Sequence, residues 1–129
     1  FLGYNYFLTG TVIEGKQIGK QIGFPTANIH IKENYKLIPK NSVYVVRSLI
    51  ENVPFFGMMN IGTNPTVDGK EQSIEVHFFN LDRDLYNKKI KIELLGRLRN
   101  ERKFKSLESL RSQLKIDKEN ALKLIAETR

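Results

Sequence analysis

The sequence contains no cysteine and only two histidines, His30 and His77. Neither a disulfide framework nor a thiolate metal site can form without thiols, and two histidines are too few for a zinc centre. No apolar run approaches the roughly 20 residues of a membrane span, and the chain does not start with a basic segment followed by an apolar one. We therefore expect a cytoplasmic protein, and the phenylalanine at position 1 indicates a fragment of a longer one.

The composition is that of a folded domain with an excess of positive charge. Hydrophobic residues make up 40% and charged residues 27% of the 129 residues, which argues against disorder and suits a single core. The net charge is +7, and nine basic residues against three acids lie between Arg83 and Lys105. This segment predicts a solvated strand face, a surface for nucleic-acid backbone, or a site for a charged nucleotide.

Runs of β-branched and aromatic residues separated by turn residues predict six strands. The predicted strands are 6–13, 27–31, 42–50, 53–61, 73–80 and 89–95. Turns are expected at Glu51-Asn52 and Asp68-Gly69, and the segment Asn60–Thr66 is expected to interrupt regular structure. Because closure removes exposed edges, short strands at this spacing favour a small barrel.

After Phe104 the apolar residues recur at the spacing of an α-helix. Ser106 is a plausible N-cap of one helix and Asp117 of a second. We therefore predict a mainly β fold in one domain, residues 1–129. Within it, residues 1–6 are linker-like, residues 7–95 form the barrel and residues 106–128 form C-terminal helices.

The segment Gly15–Asn28 combines glycines and a lysine with Phe-Pro-Thr-Ala-Asn. Its glycines, Gly15, Gly19 and Gly23, leave main-chain N–H groups uncovered for an anion. Lys20 adds a positive charge, and Pro25 fixes the exit angle of the loop. Thr26 and Asn28 point to the same side of an extended segment, where their oxygens can hold Mg²⁺ beside a phosphate. A glycine-rich hairpin turn explains the same spacing, whereas the P-loop pattern does not fit it.

Glu75 and His77 alternate with apolar residues and are therefore predicted on the polar face of their strand. A carboxylate there can orient an alcohol and accept its proton. Taken alone, the pattern is more typical of a solvated glutamate. His77 is expected to be a partner of Glu75 or a solvated residue rather than a catalyst.

Several motifs together resemble the riboflavin kinase domain, which in bacteria usually forms the C-terminal half of a bifunctional FAD synthetase. They are Gly10-Thr-Val, the Gly15–Asn28 segment, Asn60–Thr66, Ile74-Glu-Val-His, Asp84-Leu-Tyr and Leu98–Phe104 followed by Ser-Leu-Glu-Ser-Leu. The resemblance extends from Leu8 to about Ala126. It implies a six-stranded antiparallel Greek-key barrel that transfers the γ-phosphoryl group of ATP to the 5′-hydroxyl of riboflavin, giving FMN and ADP.

The resemblance also assigns roles to the candidate residues. It implies that Thr26 and Asn28 bind Mg²⁺ and the ATP phosphates, and that Glu75 is the catalytic carboxylate. The remaining implied nucleotide contacts are Gly15, Gly19, Lys20, Gly23, Pro25 and Tyr86. Contacts to flavin or nucleotide are implied for Arg99, Arg102 and Phe104.

The resemblance further implies that a covalently linked N-terminal FMN adenylyltransferase domain precedes this chain in the full-length protein. The His-x-Gly-His signature of that domain is absent from the sequence, so this chain alone is expected to make FMN and no FAD. No membrane partner is expected.

Two other functions remain open at this point. One is a basic β-barrel that binds nucleic acid, which is disfavoured because the basic segment has little aromatic interleaving and Glu75 would oppose a polyanion. The other is a regulatory module that binds flavin without turnover.

Overall fold

The protein folds into a closed β-barrel with one helix packed on its outside, as seen in a computed structural model that describes residues 6–13, 23–31, 39–67, 69–81 and 83–128. The strands are β1 (Tyr6–Ile13), β2 (Ala27–His30), β3 (Ser42–Ile50), β4 (Val53–Thr66), β5 (Gly69–Phe78) and β6 (Lys89–Asn100), and the helix is α1 (Leu107–Thr128).

All strand pairs in the barrel are antiparallel, and their order is β1-β2-β5-β4-β3-β6, with β6 closing onto β1. Strands β3, β4 and β5 follow one another as hairpins, and β6 returns to lie beside β3. This is the Greek-key order. The predicted six-stranded antiparallel Greek-key barrel is therefore confirmed.

Strict alternation along the strands fills the barrel interior. On β5, Ile74, Val76 and Phe78 are buried in the interior cluster, whereas Glu75 and His77 are only partly covered. Because successive strand side chains point to opposite faces, both polar residues lie on the outer face of the barrel, as predicted. The outer face is therefore where a site containing Glu75 has to be sought.

The turn between β3 and β4 forms where the sequence predicts it. Glu51 and Asn52 have φ angles of 52° and 68°. Two central residues with positive φ are typical of the type I′ turn, whose twist matches that of a hairpin. This turn fixes the β3–β4 register, which runs without a break from Ile50↔Val53 to Ser42↔Ile61.

Three strands are longer than predicted, among them β5, which begins at Gly69 and ends at Phe78. The segment Asn60–Thr66 was expected to interrupt regular structure, but it continues β4 and pairs with β5 as far as Thr66↔Gly69. Strand β6 continues beyond Leu95 to Asn100 and pairs with β3 across two register shifts. Glycine, asparagine and proline weaken a strand, but pairing with a long neighbour overrides that local preference. Asp68 of the predicted Asp68-Gly69 turn lies outside the described residues.

The prediction of two C-terminal helices is wrong, because a single helix spans Leu107–Thr128. Ser106 caps it as predicted, since its Oγ accepts a hydrogen bond from the Ser109 N–H at 3.1 Å. Asp117 lies in the middle of the helix, and its carboxylate accepts hydrogen bonds from side chains instead of capping backbone N–H groups. No helix among the described residues is sufficiently long and apolar to span a membrane.

A second apolar cluster joins α1 to the outer face of the barrel. Val43 and Val45 of β3 and Met58 of β4 pack there with Ala121 and Ile125 of α1. The helix therefore covers one part of the outer face and leaves the neighbouring part, around Glu75, as one wall of a cavity.

Candidate active site

The register of the barrel arranges polar residues from three strands in one row on the outer face. Glu75 on β5 is the Cα partner of Asn28 on β2 and of Asn60 on β4. The same row continues through Val43 on β3 to Arg99 on β6. Paired residues of antiparallel strands project to the same face. Residues far apart in the sequence therefore meet on one surface.

The side chains of Thr26 and Glu75 are in direct contact. The Thr26 hydroxyl donates a hydrogen bond to Glu75 Oε1 at a distance of 3.2 Å between the two oxygens, and the contact is partly buried. Thr26 precedes β2 by one residue, so the antiparallel pairing of β2 with β5 carries it to Glu75. The predicted hydroxyl and carboxylate are thus close enough to act on one bound group.

His77 holds the backbone that carries Thr26. Its Nδ1 lies 2.7 Å from the Pro25 carbonyl oxygen, which can only accept, so Nδ1 must donate. The imidazole makes edge contacts with the rings of Phe24 and Phe79, with centroids 5.2 and 5.6 Å away. Burial lowers the pKa of His77 from its usual value of 6.5, Lys118 lowers it further, and the bond to Pro25 opposes this. The surroundings therefore favour the neutral form of the imidazole.

We expect this histidine to make stability depend on pH. Its folded-state pKa is below 6.5, so the unfolded chain binds a proton that the folded chain excludes. The free energy of unfolding should therefore fall as pH drops from about 6.5 towards the folded-state pKa, by at most about 1.4 kcal/mol per pH unit from this group. Urea denaturation at pH 7.5, 6.5 and 5.5 measures the slope.

The sequence provides a matched control for this measurement. His77→Gln should flatten the slope between pH 6.5 and 5.5, whereas the same change at the exposed His30 should leave it as in the unmodified protein. If the slope is the same in both variants, His77 is not the group that titrates.

A cavity of about 480 Å³ opens between the outer barrel face, the segment 101–106 and the first turns of α1. Its barrel wall includes the polar residues Thr26, Glu75 and Asn60 next to apolar ones. Its helix wall is apolar, and its main residues are Phe104, Leu107, Leu110 and Leu114. One side of the cavity thus offers oxygen atoms and the other offers a surface for a flat apolar group.

Several lining residues were not identified as site residues from the sequence, among them Asn60, Ser73 and Glu101. Asn60 and Ser73 project beside Glu75 because of the β4–β5 register, in which Asn60↔Glu75 and Gly62↔Ser73 are paired. In the sequence Asn60 and Ser73 alternate with the apolar residues Ile61 and Ile74, and this alternation could have identified both as outward-facing. Glu101 offered no periodic signal, because it follows the end of β6.

Arg99, Arg102 and Phe104, for which the family resemblance implies contacts to flavin or nucleotide, all line the cavity. The guanidinium carbons of Arg99 and Arg102 lie 5.7 and 5.1 Å from the centroid of the Phe104 ring. Such distances are typical of cation–π contacts. The three side chains therefore form one cationic and aromatic unit of the cavity wall.

The structure does not bring every predicted residue to the cavity. Tyr86 is 46% exposed and lies in the turn before β6, where its N–H binds Asp84 Oδ1 at 2.9 Å. Gly23 has a φ angle of 86°, which suits glycine. Asn28 pairs with Glu75 through the backbone but is not among the lining residues of the cavity. Gly15, Gly19 and Lys20 lie outside the described residues.

The oxygen atoms next to Glu75 suit a hard cation that takes most of its ligands from water and phosphate. No cluster of three or more His, Cys, Asp or Glu side chains suited to a metal occurs within the described ranges. The Thr26 hydroxyl and the Asn28 amide offer neutral oxygens on one face of β2 and its entry. Such a pair suits Mg²⁺, which keeps several waters and takes phosphate oxygens as ligands.

Comparison with known proteins decides the family. The sequence model of the family described as "Flavokinase: Riboflavin kinase" matches residues 2–125. The chain belongs to the riboflavin kinase family. Among the curated relatives of this riboflavin kinase domain is the bifunctional riboflavin kinase/FMN adenylyltransferase of Bacillus subtilis, which is 38% identical over 131 residues covering 99% of this chain and 41% of the relative.

Solved structures with the same fold include one from Trypanosoma brucei and one from Streptococcus pneumoniae. A riboflavin kinase from Trypanosoma brucei superposes with a TM-score of 0.70 at 27% identity, covering 98% of this riboflavin kinase domain and 83% of that chain. A protein from Streptococcus pneumoniae described as a macrolide-efflux protein superposes with a TM-score of 0.83 at 36% identity, covering 92% of this chain and 38% of that one. The domain spans less than half the length of the Bacillus subtilis relative.

Proposed function

We propose that this chain is a riboflavin kinase that transfers the γ-phosphoryl group of ATP to the 5′-hydroxyl of riboflavin and releases FMN and ADP. The observation that carries the proposal is the 3.2 Å contact between the Thr26 hydroxyl and the Glu75 carboxylate on the barrel wall of the cavity. It supports a site in which an alcohol and a phosphate meet within reach of one carboxylate.

In this proposal Glu75 orients the riboflavin hydroxyl and accepts its proton as the oxygen bonds to phosphorus. A primary alcohol is a poor nucleophile at neutral pH, so a positioned base is what the reaction needs. Thr26 and Asn28 would hold Mg²⁺ together with the ATP phosphates. The metal, when bound, neutralises charge on the phosphoryl oxygens. The direct Thr26–Glu75 bond would then be exchanged for bonds to substrate.

The apolar helix wall supports a place for the isoalloxazine ring of riboflavin. Leu107, Leu110 and Leu114 cover an area beside Phe104 that suits a flat aromatic group. Arg99 and Arg102 stand at the edge of this area and can donate to ring carbonyls or to phosphate. Nucleotide contacts by Gly15, Gly19, Lys20, Gly23, Pro25 and Tyr86 stay predictions.

The wider setting of the domain is proposed from the family. Residues 1–129 form one kinase domain, and an FMN adenylyltransferase domain is linked to its N-terminus in the full-length protein, as the bifunctional name of the Bacillus subtilis relative suggests. A cytoplasmic location fits this role.

Two alternatives have less support. Nucleic-acid binding through the basic segment is weakened because several of its cations are paired: Arg83 and Lys88 with Glu51, and Arg99 with Asp117. A flavin-binding module without turnover has no need for a carboxylate beside a hydroxyl in the barrel wall. Neither alternative explains the arrangement of Thr26 and Glu75.

The deciding experiment is to incubate the purified protein with riboflavin, ATP and Mg²⁺ and to separate the flavins by chromatography. We expect FMN to form in proportion to ADP, with no FAD. Omission of Mg²⁺ should abolish the reaction and tests the proposed metal. Absence of FMN across a range of pH and divalent metals would refute the kinase, and salt-sensitive binding to RNA in its place would favour the nucleic-acid alternative.

A further inference from the structure

Asp117 is a buried charge that the chemistry proposed above does not use. It lies in the middle of α1, and its side chain is 3% exposed. Burying a carboxylate costs free energy unless it is paired and hydrogen-bonded. A leucine or alanine at this position would anchor the helix without that cost. Packing alone therefore does not account for a carboxylate at this position.

The carboxylate of Asp117 is bound to Arg99 of β6. Arg99 Nε donates to Oδ1 at 2.9 Å and to Oδ2 at 3.0 Å, and Nη2 donates to Oδ2 at 2.8 Å. A pairing through two nitrogens and two oxygens fixes the plane of the guanidinium group as well as its position. The two residues lie on different elements, so the pair also fixes α1 relative to the barrel.

The pairing leaves part of Arg99 available to a ligand. A guanidinium group has five N–H bonds. Within the described part of the chain, the single N–H on Nε and one on Nη2 are directed at Asp117, and one on Nη1 is directed at the Asn100 carbonyl at 3.0 Å. Two N–H bonds remain on the Nη atoms of a side chain that lines the cavity. They form a fork whose orientation Asp117 sets.

Gln113 extends the same network to the second arginine. It precedes Asp117 by one helical turn, and its Nε2 donates to Asp117 Oδ1 at 2.9 Å. Its amide oxygen accepts a hydrogen bond from Arg102 Nη1 at 3.1 Å. One face of α1 thus holds both arginines that contact the Phe104 ring.

Electrostatics explains why a carboxylate is needed for this arrangement. Arg99 and Arg102 are like charges beside one ring, and Lys103 and Lys105 also line the cavity. Like charges at such short range repel one another, most strongly where water is excluded. Without the Asp117 charge, Arg99 would gain by turning towards solvent, and its fork would leave the cavity.

We propose that Asp117 is a positioning residue for ligand binding, which holds Arg99 directly and Arg102 through Gln113 so that the cationic wall of the cavity is formed before the ligand arrives. The identity of the ligand rests on the proposed kinase function, whereas the network of Asp117, Arg99, Gln113 and Arg102 does not. Pre-formed donors cost no reorganisation when the ligand binds. If these contacts only anchored α1, their loss would lower stability and leave ligand binding unchanged.

A double-mutant cycle between Asp117 and Arg99 separates these two roles. Steady-state kinetics would compare Asp117→Asn, Arg99→Lys and the double variant, with Glu119→Gln as a control for a carboxylate on the exposed face of α1. We expect each single variant to lower kcat/KM for riboflavin by about tenfold or more and the double variant to lose no more than the worse single one. The control should stay within twofold of the unmodified protein.

Two outcomes would overturn the positioning role. One is an Asp117→Asn protein with a lower melting temperature but a kcat/KM within twofold of the unmodified protein. The other is a double variant whose loss is the product of the two single losses. FMN formation by the unmodified protein is measured in the same assays, so a failure of the kinase proposal is distinguished from a failure of this one.

A spectroscopic measurement on the unmodified protein keeps the proposal testable if Asp117→Asn does not fold. With ¹⁵N-labelled arginine, the Arg99 Nε–H resonance, assigned by its absence from the Arg99→Lys spectrum, should exchange slowly with water because it donates into a buried carboxylate. Riboflavin with Mg·ADP should shift this resonance. A fast-exchanging resonance, or one that does not move at saturating ligand, would overturn the proposal.

Discussion

Glu75→Gln should lower kcat by roughly 100-fold or more while leaving substrate binding nearly unchanged, in the range typical of the removal of a general base. Glutamine keeps the shape of the side chain and can still accept the 3.2 Å hydrogen bond from Thr26. It cannot take a proton from the riboflavin hydroxyl. Initial rates of FMN formation, together with riboflavin affinity from fluorescence quenching, measure the two quantities.

The same amide substitution at an exposed glutamate controls for the loss of a negative charge. Glu127, in the last turn of α1, is suitable because it is exposed and far along the helix from the lining residues Leu107, Leu110 and Leu114. Glu127→Gln should have unmodified kinetics. Wild-type turnover by Glu75→Gln would show that another residue is the base or that none is required.

Thr26→Ala and Asn28→Ala should each raise the KM for Mg·ATP by about tenfold to 100-fold and leave riboflavin affinity almost unchanged. Hydrogen bonds to charged groups typically contribute about 1.5–3 kcal/mol, which corresponds to such a change. Thr26 lines the barrel side of the cavity, opposite the helix wall proposed for the flavin ring, and Asn28 is the strand partner of Glu75 on that barrel face. Kinetics at varied ATP and Mg²⁺, with calorimetric titration of riboflavin, separate the two effects.

Two further variants sharpen this result. Thr26→Ser keeps the hydroxyl, so the KM for Mg·ATP should stay close to that of the unmodified protein. Thr9→Ala removes an exposed hydroxyl from β1 and should change neither this KM nor riboflavin affinity. If Thr26→Ala and Asn28→Ala lose riboflavin affinity while their Mg²⁺ dependence is unchanged, the pair does not serve the nucleotide.

The sequence predicted the barrel from runs of β-branched and aromatic residues separated by turns, and alternation predicted the two faces of β5. The period of two along Ser73–Phe78 places Ile74, Val76 and Phe78 inside and Glu75 outside, whatever the order of the strands. The turn residues Glu51 and Asn52 fixed one hairpin in the same local way. Motif resemblance added the riboflavin kinase family, which the family match over residues 2–125 confirms.

Local pattern failed where pairing between distant segments decides the structure. Asn60–Thr66 carries turn residues, yet it is strand because β5 pairs with it along its whole length. Asp117 resembles a helix N-cap, but a buried ion pair with Arg99 takes its carboxylate and the helix continues through it. Propensity is a weak guide where tertiary contacts supply more free energy than the local preference.

The sequence, with its motifs and their resemblance to the riboflavin kinase family, determined which residues could do the chemistry: the Thr26 and Asn28 oxygens, the Glu75 carboxylate and the guanidinium groups of Arg99 and Arg102. Only the tertiary structure decided which of them meet. The β2–β5 register brings Thr26 to Glu75 across 49 positions of sequence, and Asp117 of α1 fixes the Arg99 guanidinium at the other end of the same barrel-face row. The β2–β5 register and the docking of α1 are set by long-range burial of apolar side chains, which no local pattern of residue types encodes.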